Sequence, residues 1–134
     1  MDDRLLPCID FGHLNARTHG GMMTREDVAK LFDCMENTIG LERARKFHSH
    51  FSKIEYGKGG EVRHLTFADT VYGPEFDGVA QETAARGYEP RFICESAGAQ
   101  ARDAVIMKQI YETAMGQKSA ANDGKLLAKR KKIM

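Results

Sequence analysis

The stretch LLPCID, residues 5–10, is a short apolar run that closes on an acid, and two later stretches repeat its form. ARKFHSH, residues 44–50, closes on His48 and His50, and RFICES, residues 91–96, places Glu95 directly after its apolar run. Short apolar runs of this kind, bounded by turn residues, predict buried strands over Leu5–Asp10, Arg45–His50 and Arg91–Glu95. A segment with helical spacing follows each one. Three β-loop-α units in succession predict the α/β class with a parallel sheet, because parallel neighbours need a crossover.

The helices are legible from their ends. Thr24 is a good N-cap, and Asp27 three residues on completes a capping box. Val28, Leu31, Phe32, Met35 and Ile39 then form one apolar stripe, which Gly40 stops. A second helix is expected over Glu75–Arg86, with Phe76, Val79, Ala80, Thr83 and Ala84 inward and Gly87 as its end. A third is expected over Gln100–Met115, ended by Gly116. Between these, Phe11–Met23 reads as a Gly-, Asn- and His-rich loop. Phe51–Pro74 shows no periodicity, and a loop that long inside a compact domain is often functional.

The 134 residues imply one domain, over 1–116, with a basic, disordered tail over 117–134. Lysine and arginine number 20 against 19 acids, a net charge of +1 that selects no partner. The run Lys125, Lys129, Arg130, Lys131 and Lys132 reads as solvated surface. Three cysteines are an odd number, and Cys8 and Cys94 lie inside apolar runs as small core residues. With no signal peptide and no membrane-length apolar run, these features predict a cytoplasmic protein that uses no membrane.

Three strands and three helices leave one sheet face and both edges uncovered. The chain therefore reads as three consecutive βα units of a (β/α)8 TIM barrel, a partial barrel that self-associates or lacks a preceding half.

The chemistry gathers where such folds build their sites, at the carboxyl ends of strands. Asp10 and His13 have the spacing D-x-x-H. His48 and His50 point to one face of their strand, with His48 favoured as ligand and His50 behind it. His64, in the long loop, is a further candidate. Glu95 after a buried strand is costly unless paired or metal-bound, and it is the strongest candidate, as ligand and catalytic carboxylate. Asp, His and Glu together are the donor set of a zinc or manganese centre. Lys58 and Arg63 offer positive charge to a phosphate. A nucleotide-binding glycine fingerprint, a P-loop, a CxxC pair and a nucleophile elbow are all absent.

Over roughly Leu5–Tyr111 these residues resemble the endonuclease IV family of xylose-isomerase-like barrels. Asp10 and His13 match that family's D-x-x-H. The stretch from His48 to Lys53 partly matches H-x-N-D-[SA]-K. Val62-Arg63-His64 partly matches D-R-H, and Glu95 matches the final glutamate. The resemblance implies that Asp10, His48 and Glu95 hold one metal and that His13 and His64 hold its neighbour. His50, Lys53 and Arg63 would support the metals or contact substrate. It implies zinc-dependent phosphodiester hydrolysis at abasic sites in DNA, within DNA repair. Val62 stands where the family has an aspartate, and Glu61 beside it is out of register. The alternatives are a single-metal sugar isomerase or epimerase of the same barrel superfamily, and a non-catalytic fragment. The isolated chain is expected to be a weak catalyst or inactive.

Overall fold

A computed structural model describes residues 2–133. Strand β1 (Cys8–Asp10) pairs with β2 (His48–Phe51), and β2 pairs with β5 (Arg91–Cys94); both pairings are parallel. The sheet order is β1-β2-β5, so the α/β reading with a parallel sheet holds. Asp10 lies opposite His50, and His50 opposite Ile93. The strands are shorter than their apolar runs. Leu5 and Leu6 are exposed and lie outside β1.

Alternation along the strands separates two faces. Ile9, Ser49, Phe51, Phe92 and Cys94 share the face that meets the helices. Cys8, His48, Arg91 and Ile93 share the other, where Cys8, Arg91 and Ile93 are exposed. Cys8 is thus a free surface thiol, not a core residue.

The core is aromatic. All seven phenylalanines lie in it or against it. Phe92 meets Phe76 and Phe47 edge to face at 5.0 and 5.7 Å between ring centroids. Such pairs contribute about 0.5–1.5 kcal/mol each beyond area burial.

Helix α2 (Arg25–Ile39) begins as its sequence dictates. Thr24 Oγ1 accepts from the Asp27 amide at 3.1 Å, and an Asp27 carboxylate oxygen accepts from the Thr24 amide at 3.0 Å. Val28, Phe32 and Met35 are buried along its stripe. Gly40 ends it at φ 82°, and the short α3 (Leu41–Ala44) follows. Helix α4 (Phe76–Arg86) buries the expected stripe and ends on left-handed Gly87. Between α2 and α4, buried Glu82 takes Arg25 and Arg86 at 2.9 and 2.8 Å. These pairs compensate the cost of burying its charge.

Three expectations are corrected. The segment after Asp10 is not loop: α1 (Phe11–Arg17) starts at once, with Phe11, Gly12, Asn15 and Ala16 buried. Its polar composition hides a cap and one inward face. The segment after Phe51 is not irregular either. It carries an antiparallel hairpin, β3 (Ile54–Gly57) and β4 (Gly60–His64), joined by the two residues Lys58 and Gly59. Finally, the tail is helical. Helix α5 runs from Gln100 to Ile133, through Gly116, with exposed side chains over most of its second half. Its Ala, Lys, Leu and Arg content outweighs two interior glycines, which cost about 1 kcal/mol each. No described helix is long and apolar enough to cross a membrane.

Candidate metal centre

Asp10 is the last residue of β1 and the N-cap of α1. Its Oδ1 accepts from the His13 amide at 2.9 Å, satisfying a free helix donor. Its Oδ2 lies 2.6 Å from His13 Nδ1. One carboxylate therefore fixes both the helix start and the imidazole ring one turn in.

Gly12 allows that approach. A β-carbon there would stand 2.4 Å from the Ser52 carbonyl oxygen, so only glycine lets α1 pack so closely on the chain after β2. The packing brings His13 to the hairpin. His13 Nε2 lies 2.7 Å from Glu61, and Glu61 lies 3.5 Å from His64 Nε2. Buried Ser52 holds the far side of His64, with Oγ 2.8 Å from Nδ1. This leaves His64 Nε2 turned toward Glu61. A partner on the other ring nitrogen is the usual way an imidazole ligand is aimed.

A bulge gives Glu61 its place. Ile54 pairs with His64 and Glu55 with Arg63, but Tyr56 pairs with Glu61. Val62 is the extra residue. Ile54 and Tyr56 alternate onto one face, so their partners His64 and Glu61 share that face although they are three apart. Regular alternation would have set them on opposite faces. Val62 is left exposed, and Arg63 turns to the other face, where it pairs with Glu55 at 2.5 Å.

A second group forms at the strand ends. Asp10, His50 and Glu95 bring one ligand atom each within 4.8 Å of one another, as do His13, Glu61 and His64. His50 Nδ1 lies 3.3 Å from Glu95. The register explains the first trio: Asp10 is opposite His50, and Glu95 lies two residues past Ile93 on the same face.

The expected residues thus divide. Asp10, His13, His64 and Glu95 come together. His48, expected as a ligand ahead of His50, is outside both groups; its ring packs on that of His50 at 5.5 Å, one residue pair further from the strand ends. His50 takes its place because only the last position of β2 on the face away from the helices lies opposite Asp10 and near Glu95. Lys53 is buried, with Nζ on Glu75 at 2.6 Å and on the Asp69 carbonyl at 2.5 Å, so it braces the 65–75 segment. Arg63 is committed to the hairpin surface. Glu61 and Ser52 were missed. The hairpin signal was a two-residue, glycine-containing turn between alternating β-type residues, IEY and VRH.

Three carboxylates and three imidazoles share a half-exposed site. With neutral imidazoles its formal charge is negative, and a cation is the complementary ligand. Burial disfavours protonated His13, but the hydrogen bonds and charges of Asp10 and Glu61 outweigh that and hold its pKa above the ordinary imidazole value. The donor chemistry fits a metal. His13, His64 and Glu61 form a His2Glu set of the kind that binds catalytic zinc. Asp10, His50 and Glu95 form an oxygen-richer set that suits manganese or zinc.

An archaeal protein of Methanocaldococcus jannaschii, described as uncharacterized, is 36% identical over 107 residues, which are 80% of this chain and 38% of that protein. The chain thus spans well under half the length of this relative. No family model and no solved structure matches it.

Proposed function

We propose that this chain carries the ligands of a two-cation hydrolytic centre acting on a phosphodiester, with abasic-site DNA as substrate, in a segment of a (β/α)8 barrel. One observation carries the reading: Asp10 belongs to the Asp10–His50–Glu95 group and also holds His13 of the other group at 2.6 Å. Two ligand sets joined through one carboxylate are the arrangement a paired centre needs. The parallel order β1-β2-β5, with Asp10 and Glu95 at strand ends, supports the barrel segment. The resemblance to endonuclease IV supports the substrate.

Glu61, His13 and His64 would hold one cation, zinc by donor type, and Asp10, His50 and Glu95 the other, zinc or manganese. When bound, such a pair supplies Lewis-acid charge to a phosphate and lowers the pKa of a water. The chain's own residues do the positioning. Asp10 orients His13, Ser52 orients His64, and the Val62 bulge sets Glu61 between the two rings. Glu95, half-exposed and 3.3 Å from His50, would be the catalytic carboxylate as well as a donor to the second cation.

A single-metal sugar isomerase of the same superfamily would hold its one cation with Asp10, His50 and Glu95 together with a further glutamate. The second group has no task there, which favours hydrolysis. Metal analysis of the purified chain tests the reading. Two zinc or manganese ions per chain are expected, falling to one in Glu61→Gln. Zinc-dependent nicking of abasic duplex would support the substrate. One ion with ketose isomerisation would replace the reading with the isomerase. No stoichiometric metal would leave these residues inert.

A further inference from the structure

Helix α5 carries a feature unrelated to the metal residues. At 100° per residue, Lys118, Lys125, Lys129 and Lys132 fall within an arc of about 60° and span about 21 Å. The sole acid of the arm formed by residues 117–133 of α5, Asp123, lies about 150° from the middle of that arc. At its inner end the stripe forms one wall of a groove of about 330 Å3 between α5, α4 and the start of α2. Arg25, Lys118 and Lys125 line it together with Gln81, Gln117 and Asn122, and no carboxylate of the described residues does. Arg25 is held there by its Nε bond to Glu82 at 2.9 Å.

We propose that this stripe and groove bind the phosphate backbone of a nucleic acid. The ligand must be polyanionic and extended, since the cations continue for two helical turns beyond the groove. Amides beside cations suit phosphate oxygens and sugar hydroxyls. The arm lacks the apolar face that lying on a membrane requires: Leu126 and Ile133 point to one side, and Leu127 lies about 100° away from Leu126. The inference stands on α5 and the groove it forms with α4 and Arg25, and it does not need the metal centre to be real.

The test is binding of a labelled single strand and its duplex, measured in EDTA so that the metal centre plays no part. Four phosphate contacts give a log–log salt slope of about −3 to −4, a loss of roughly sixty- to two-hundred-and-fiftyfold between about 50 and about 200 mM salt. Lys125→Gln with Lys129→Gln should flatten the slope by roughly 1.5 to 2. Arg130→Gln with Lys131→Gln removes the same charge from other faces and should leave the slope nearly unchanged. All four residues are exposed, so folding is not at issue. Absence of binding at low salt, equal effects of the two double variants, or binding to phosphatidylserine vesicles in place of nucleic acid would each overturn the proposal.

Discussion

Glu61 and His64 face the same way from β4, 3.5 Å apart, although they stand three positions apart along a strand. Val62 makes this possible by standing outside the alternation. Glu61 thereby supplies a carboxylate beside His64.

Glu61→Leu, with Val62 and its bulge kept, removes the carboxylate that stands between His13 and His64. The expected outcome is loss of one bound cation per chain with the other retained, read by metal analysis after dialysis. Full retention of both would show that Glu61 is not a ligand.

Asp10 performs two separable tasks. Asp10→Asn keeps an N-cap oxygen but removes the charge that orients His13. It should weaken metal binding at the His13 group by about ten- to a hundredfold, the usual loss for an orienting carboxylate, and should also weaken the Asp10–His50–Glu95 group, where Asp10 is itself a donor, with little change in stability. Asp10→Ala also loses the cap and should cost about 1 kcal/mol more in urea unfolding. Calorimetric metal titration and denaturation curves read the two effects apart.

Gly12→Ala should cost about 1–3 kcal/mol, because its new carbon meets the rigid Ser52 carbonyl. The displacement would part His13 from Glu61 and disturb the Ser52–His64 bond, so metal affinity at that group should fall as well. Gly57→Ala is the control: its nearest contact is 4.0 Å, and the change should stay within about 0.5 kcal/mol.

Asp103 gives the fold a defined response to acid. It is fully buried, and burial pushes its pKa up. Hydrogen bonds from the Phe67 amide, Ser96 and Arg102 outweigh that and hold the pKa below the ordinary carboxylate value. A depressed folded pKa contributes stability above the unfolded value and loses it as pH falls through the folded one. Wild-type stability should therefore include this contribution at neutral pH and lose it below about pH 4. In Asp103→Asn that part of the acid dependence should vanish in pH-dependent thermal melts. An unchanged acid limb would assign it to other carboxylates.

Some of this was legible without coordinates. Thr24 and Asp27 cap α2, and Gly40 and Gly87 stop their helices, because caps and left-handed stops are local chemistry. The three strands were legible as apolar runs, though drawn too long, since Leu5 and Leu6 are apolar without being buried. Of the candidate site, Asp10, His13, His64 and Glu95 were readable as donors at strand ends and in the loop. The hairpin had only a short signal, the glycine-containing turn between IEY and VRH, because β4 is largely exposed and lacks a buried apolar face. The helical arm was missed because Gly116 looks like a stop and only its surrounding composition overrides it.

By itself the sequence determined which segments fold locally, their order, and hence a parallel α/β sheet. These follow from periodicity and from caps within a few residues of one another. Only the tertiary structure decided which donors meet. The choice of His50 over His48 rests on strand register, and the recruitment of Glu61 rests on a bulge. The approach of His13 rests on Gly12 lying against Ser52, forty residues away. Register, bulge and contact are relations between distant segments, and no local pattern encodes them.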